Sequence, residues 1–485
     1  MHKIYIGMSD LKYDALKGVV WSSVERFSVQ GIQFILSFVI ARQLSPSDYG
    51  LVAMLSIFIA IAQSFIDSGF SSALIQKQDR TNKDYSTVFY FSIVVALLFF
   101  ILFYLLSPLI AKFYEQEALK DITVFIALNF IILAFSIIQR AQLTINLDFK
   151  KQAIASFISV IISGALAVYM AYNGYGVWTL VFQSIINNLI NTILLWIIVK
   201  WKPQIAFSIT SFKTLFGFGS KILAGGLINT IYTNLYSLII GKVYSTTDLG
   251  FFNRASPMTQ YPSMNISNIL TRVTYPIECR LQYEDEELQK KFYLFINLTS
   301  FVVFPLMTGL SVLSEPLVEF ILTEKWLGCV PYIQILSFAY MWDPIMRMLG
   351  DLLNAKHRSD FYLKAEVIKK TTAIVILLLT MRFGLKIMCC GLVIYSFLDI
   401  LSATLYTKKI LPQITFPKII MSVFPILLQS AVMGICISIC IMKIEYAWGK
   451  IIVGLGVGIL SYILLSLVMN KKIIMYIISL LYRNN

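Results

Sequence analysis

Residues 18–50 read GVVWSSVERFSVQGIQFILSFVIARQLSPSDYG, and this stretch decides the fold. Residues 18–40 are long enough to cross a bilayer, since a transmembrane helix takes about 20 mainly apolar residues. The run ends in a corner, Ala41-Arg42-Gln43-Leu44-Ser45-Pro46-Ser47-Asp48-Tyr49-Gly50, where Asp can cap the next helix and Gly frees the backbone. A similar corner returns at an offset of 200, as Gly241-Lys242-Val243-Tyr244-Ser245-Thr246-Thr247-Asp248-Leu249-Gly250. Further along, Pro108-Leu109 matches Pro316-Leu317, Asn146 matches Asn354 and Gly176 matches Gly384, all at an offset of 208. One such corner means little; several in register describe a duplicated membrane unit.

Composition points the same way. Of 485 residues, 58% are hydrophobic and only 14% charged, against about 25% charged in soluble chains. Fourteen spans can be read, at 18–40, 50–75, 86–110, 121–140, 152–172, 176–199, 217–240, 256–277, 292–313, 331–353, 362–381, 386–406, 421–442 and 448–469. The predicted fold is all-α and polytopic. An N-lobe over 1–200 (six spans) is followed by an interfacial linker over 201–216 and a C-lobe over 217–410 (six spans). Two additional helices fill 411–470, and 471–485 reads as an amphipathic tail on the inner leaflet, with Ile473, Ile474, Ile477, Ile478 and Leu481 at helical spacing. The eighth span, with Pro257, Pro262 and Arg272, is the most polar of the fourteen. The acidic stretch 278–291, with Glu278 and Glu284 to Glu287 around Asp285, reads as a solvated helical connector. Six spans is an even number, so the two halves begin on the same side and form a parallel repeat, with a pseudo-two-fold along the membrane normal.

The net charge of +14 would suggest nucleic acid in a soluble protein. Here no soluble basic domain exists to bind it, and topology accounts for the excess. With the N-terminus inside, the cytoplasmic segments carry 24 Lys and Arg and the opposite loops 10, as the positive-inside rule requires. Both termini are then cytoplasmic. The first 17 residues hold no apolar run, so a cleaved signal peptide is not expected. Every loop is short, which leaves no room for a soluble catalytic domain. The only histidines are His2 and His357, the six cysteines are scattered, and no phosphate-loop motif occurs. A metal site, a His proton relay and nucleotide hydrolysis are therefore not expected.

The run WSSVERFSVQGIQFILSFVIARQLSPSDYGL, followed by DSGFSSALIQKQ at 67–78, resembles the polysaccharide transporter family. These are Wzx-type flippases for lipid-linked oligosaccharide or O-antigen, near the colanic-acid-exporter branch of the MOP superfamily. The signature covers about the first 80 residues. The resemblance implies a bacterial inner-membrane protein, not an enzyme, that moves an undecaprenyl-diphosphate-linked sugar repeat outward by alternating access of two lobes around a cationic cavity. It implies the lipid-linked oligosaccharide and the bilayer as partners, together with other polysaccharide assembly proteins, and no cofactor beyond Na⁺ or H⁺ coupling.

Ionisable residues within spans are the informative ones, because each costs roughly 2.5–3.5 kcal/mol at mid-bilayer on insertion scales. Arg26, Lys221, Arg272, Arg347, Lys369 and Lys370 fall in the predicted inner halves and are the candidates for the diphosphate and acidic sugars. Arg suits this task because its planar fork donates two parallel hydrogen bonds to phosphate. Glu25, Asp67, Asp343 and Asp399 are candidates for ion coupling or charge pairing. The bland alternatives are that Asp343 and Arg347 neutralise each other at i, i+4, and that Arg272, Lys369 and Lys370 snorkel to the interface. Tyr169, Tyr172, Tyr175 and Trp178 read as an interfacial aromatic belt. A multidrug or cation exporter on the same fold is the competing transport reading, and it predicts a cavity dominated by carboxylates. A membrane polysaccharide polymerase would need a larger extramembrane domain.

Overall fold

The computed structural model describes residues 28–471, 473 and 475. Glu25, Arg26 and most of the predicted tail lie outside the described residues. Regular structure among the described residues is helical throughout, as lipid demands, since each spanning segment must satisfy its own backbone hydrogen bonds. Contacts divide the chain into two compact units, one up to Gly250 and one from Phe251.

The first unit begins with α1 (residues 28–43). It continues through α2 (Pro46–Met54), α3 (Ser56–Asp67), α4 (Phe70–Gln76), α5 (Asn82–Tyr114), α6 (Leu119–Ile145), α7 (Phe149–Tyr172), α8 (Val177–Val199) and α9 (Ile209–Val243). The predicted span 50–75 is thus interrupted twice, at Leu55 and at Ser68-Gly69. Ser68 and Gly69 both have left-handed φ, 46° and 68°, and that break lets the chain pass close to α9. A Cβ on Gly69 would run into the carbonyl of Gly219, and one on Gly219 into the carbonyl of Ser68.

The predicted linker 201–216 is only half a linker. α9 starts at Ile209, capped by the Ser208 hydroxyl, which accepts from the Ser211 N–H. Phe212 and Phe216 stack with ring centroids 5.2 Å apart and join Phe70 and Phe91 in the core of the unit. The irregular stretch before α9 is pinned by buried hydroxyls of α5. The Gln204 N–H donates to Ser86 Oγ at 2.9 Å and the Ser208 N–H to Thr87 Oγ1 at 3.0 Å. In contact terms α9 therefore packs with the first unit, on α3, α4 and α5, although the repeat counts it as the first helix of the second half.

The two repeated corners are near copies. Ser45 and Asp48 form a reciprocal capping box at the start of α2, with Pro46 at its first position. At the start of α10 (Thr246–Arg280), the Ser245 hydroxyl donates to Asp248 Oδ2 at 2.7 Å and accepts from the Asp248 N–H at 3.0 Å. The corners also meet. A Cβ on Gly50 would collide with the carbonyl oxygen of Thr246, and one on Gly250 with that of Pro46. Ser47 Oγ lies 2.8 Å from Thr246 Oγ1.

The second unit carries most of α10, then α11 (Asp285–Val312), α12 (Ser314–Leu322), a 3-10 turn (Glu324–Cys329), α13 (Val330–Tyr340), α14 (Asp343–Ala355), α15 (Ser359–Thr380), α16 (Leu385–Lys408), α17 (Phe416–Ile441) and α18 (Ala447–Met469). The predicted span 331–353 is two helices, broken at Met341-Trp342 and restarted with Pro344 in the first turn of α14. The repeat is visible in the helix ends. Asn146 caps α6 and Asn354 lies in the last turn of α14, while Gly176 and Gly384 both sit at N-caps with positive φ, before α8 and α16. The core of this unit gathers Phe292, Phe304, Trp342, Leu349 and Ile426.

Ten segments among the described residues are long and apolar enough to cross a membrane: Ser56–Gln76, α5 to α9, α11, α16, α17 and α18. The other four predicted spans fall on α1, described only in part, on α10 with its three internal prolines, on the broken α13–α14 pair and on the charged α15.

Candidate functional site

In the second unit, charge gathers on the facing helices α10, α14, α15 and α16. Three residues of α14, Asp343, Arg347 and Asp351, follow each other at i, i+4 and i+8, so one helix face carries all three. Asp343 has Lys369, Arg347 and Asp399 as its charged neighbours. Lys369, on α15, lies 3.2 Å from Asp399 Oδ2 of α16 and 3.3 Å from Glu366 Oε1 one turn back on its own helix. Asp399 is only 5% exposed, so Lys369 is the counter-charge for a buried acid. The pairing of Asp343 with Arg347 suggested by their spacing is not a direct ion pair here; Arg347 is exposed and makes no ion pair within 4.0 Å with a described carboxylate.

Lys221 and Arg272 behave like Arg347. Lys221 is exposed on α9, and two residues before it Gly219 makes the close approach to Ser68; Arg272 is exposed on α10. Neither pairs with a described carboxylate. Open space surrounds α9 near Lys221, where a Cβ on Gly217, Gly225 or Gly226 would meet no atom within 4 Å. Lys370 is half-buried beside Lys369. In the first unit Asp67, half-buried, accepts a hydrogen bond from Ser71 across the α3–α4 break. The structure thus brings Asp343, Arg347, Lys369 and Asp399 together on one unit, and leaves Lys221 and Asp67 on the other.

Two acids escaped the sequence reading. Glu278, placed there in a solvated connector, is 0% exposed. α10 continues past residue 277 to Arg280, and Ile277 and Leu281 turn that helix face into the core. The apolar residues flanking Glu278 were the available signal. Asp351 was overlooked although it extends the Asp343–Arg347 spacing by one more turn. On the periphery, Arg358 forks onto Asp360 at 2.8 and 2.9 Å, which holds that exposed carboxyl down at about 2.

The first unit also holds a polar seam that needs no ligand to explain it. Asn188 donates to Asn129 Oδ1 at 2.8 Å, and Arg140 donates to Asn191 Oδ1 at 3.2 Å. Such bonds tie α6 to α8 inside lipid, where buried polar groups need partners. At the α7–α8 corner Tyr169, Tyr172 and Tyr175 are each more than half exposed, whereas Trp178 packs edge-on against Phe125.

Comparison with known proteins places this arrangement. Residues 39–331 match the family described as polysaccharide biosynthesis protein. The teichuronic acid biosynthesis protein TuaB of Bacillus subtilis is 26% identical over 355 residues, 73% of this chain and 74% of TuaB. The lipopolysaccharide biosynthesis protein WzxC of Escherichia coli is 25% identical over 361 residues, 74% of this chain and 73% of WzxC. Among solved structures, the lipid II flippase MurJ in an inward closed conformation superimposes with a TM-score of 0.74 at 16% identity, covering 94% of this chain and all of that one. The chain therefore shares the fold of that structure, and it belongs to the polysaccharide biosynthesis protein family.

Proposed function

We propose that the chain is a flippase that carries undecaprenyl-diphosphate-linked oligosaccharide from the inner to the outer leaflet of the bacterial inner membrane, with both termini in the cytoplasm, for the assembly of a surface polysaccharide. One observation carries the reading: Lys221, Arg272 and Arg347 are exposed cations within predicted spans, and none makes an ion pair within 4.0 Å with a described carboxylate. A soluble protein could leave such groups to water. In a membrane each needs an aqueous path or an anionic partner, and a diphosphate headgroup supplies two negative groups that a guanidinium fork fits. Two relatives are named as teichuronic acid and lipopolysaccharide biosynthesis proteins, and a neighbour of the same fold is a lipid II flippase, which supports the reading. In this reading the chain works by alternating access, and the headgroup drives the exchange by binding the two states unequally.

The cationic exporter reading is weaker. It wants a cavity dominated by carboxylates, whereas Asp399 and Glu366 are engaged by Lys369, and Lys221, Arg272 and Arg347 are exposed cations. The test is complementation of a strain lacking its own flippase, scoring inner-leaflet accumulation of lipid-linked repeats. Arg26→Ala and Lys221→Ala should fail to complement at normal protein levels, with at least a tenfold fall in surface polymer, the effect of about 1.4 kcal/mol. Full complementation by both would remove these cations from the transport path.

A further inference from the structure

Glu278 is fully buried, and neither of its carboxyl oxygens has a hydrogen-bond partner. Native proteins seldom bury a polar group in this way without a reason. Its neighbour is a second acid. The C-terminal ends of α10 and α14 are tied together by Lys356, whose Nζ donates to the Gln282 carbonyl oxygen at 2.6 Å and to Asp285 Oδ1 at 2.7 Å. Counting back four residues from Gln282 and five from Lys356 gives Glu278 and Asp351. At 1.5 Å per residue both stand roughly 6–7.5 Å in from that tie, at one level. Ile277 of α10 and Leu281 just beyond its end pack into the same core as Met348, Leu349 and Leu352 of α14, so these faces are turned together. Asp351 Oδ2 is buried facing the Thr271 hydroxyl of α10, and the Thr274 hydroxyl one turn on is buried without a partner.

No counter-charge faces Glu278, and the one cation near Asp351 is Arg347. Tyr275 and Cys279 are the titratable neighbours on α10 itself. From α14 come Asp351 and, one turn earlier, Arg347, which lies nearer to Asp351; from α15, Tyr362 borders Asp351. Lys356 is engaged by Gln282 and Asp285. No ion pair within 4.0 Å reaches Glu278 or Asp351 among the described residues. Two carboxyls in such a setting share a proton rather than both ionise.

We propose that Glu278 and Asp351 form a proton-binding site at the ends of α10 and α14, in which one proton is held between two carboxyls and exchanged with the cytoplasm as the transporter cycles. The site deepens the flippase reading, on which its place in a cycle rests; the proton itself does not depend on that reading. The chemistry is a single balanced step, a carboxylate plus a proton giving a carboxylic acid on loading and the reverse on release.

The experiment uses the purified full-length protein in liposomes and infrared absorption of the protonated carboxyl. Wild type should show a carboxylic-acid band at neutral pH that titrates away as the pH is raised. Glu278→Gln should lack the band, and Asp351→Asn should keep it with a midpoint moved toward lower pH, because the neighbouring charge is gone. A band unchanged in Glu278→Gln, or an Asp351→Asn midpoint that does not move, overturns the proposal. So does loss of the wild-type band when sodium chloride replaces choline chloride at fixed pH, which would mark a sodium site. If Glu278→Gln does not fold, the Asp351→Asn midpoint decides alone. A second arm follows a fluorescent undecaprenyl-diphosphate sugar under an imposed pH gradient. Gradient-driven movement should occur in wild type and become indifferent to the gradient in Glu278→Gln. Equal gradient dependence in both proteins overturns the coupling role. A titrating band with no movement of the sugar in either protein sinks the flippase reading and leaves the proton site standing.

Discussion

Lys369 occupies a position that the sequence offers to the diphosphate and that the structure gives first to Asp399. Its ammonium lies 3.2 Å from a carboxylate oxygen that is otherwise unsatisfied and nearly inaccessible. Removing the lysine strands that carboxylate, so Lys369→Ala should lower stability by about 3 kcal/mol, the lower end of what deleting one member of a buried pair costs. Adding Asp399→Asn should restore most of the loss, because an amide needs no counter-charge. Thermal unfolding in detergent checks both. The double variant also separates roles: a chain that is stable again yet still fails in transport would give Lys369 a second duty at the headgroup. At this scale the sequence showed which residues are ionisable and roughly where they stand, but not their partners. Lys369 to Glu366 is a helix spacing and could be read; Lys369 to Asp399 joins two helices and could not. Glu278 was misread for a similar reason, because the end of a span was judged by loss of hydrophobicity while the helix ran on into the core.

Among the elements, the repeated corners give the clearest case of local chemistry with a long-range outcome. Ser45 with Asp48, and Ser245 with Asp248, announce two helix starts from four residues each. That the starts touch is not written in either corner. Once Gly50 meets Thr246, however, the 200-residue offset requires Gly250 to meet Pro46, and it does. This reciprocity is what a two-fold relation imposes on any contact. A side chain on Gly50 would have to displace backbone rather than a mobile side-chain end. Gly50→Ala should therefore destabilise the chain by about 1–3 kcal/mol, as overpacking does. Gly217→Ala on α9 is the matched control: a methyl there meets no atom within 4 Å, and the helix should gain up to about 1 kcal/mol in propensity. Opposite shifts of the two midpoints in one fluorescence unfolding series would establish the contact. Other breaks were harder to see. Pro344 signals a bend, but the division of 331–353 at Met341-Trp342 depends on Trp342 packing against Phe304 and Phe397, a tertiary cause with no local sign.

For the whole molecule, α10 is the element on which the orientation turns. Its 35 residues include Pro257, Pro262, Pro276 and Arg272, and it is not among the ten segments apolar enough to cross, whereas the fourteen-span reading of the loop charges has it cross. Fourteen crossings give 24 basic residues on one face against 10 on the other. If α10 stayed on one face, every later loop would change sides, and Lys290, Lys291, Lys356, Lys408 and Lys471 would stand outside, against the positive-inside rule. A polar helix can cross where it is shielded by protein or water rather than lipid, and the buried Thr259, Ser263 and Ser267 along α10 show one face shielded by protein. Reporter fusions resolve the matter. A cytoplasmic reporter should be active after Tyr283 and at the C-terminus, and a reporter that works only outside should be active after Phe383. Activity of the outside reporter after Tyr283 would mean that α10 does not cross, and would move Glu278 and Asp351 to the opposite face from the one that loads the headgroup.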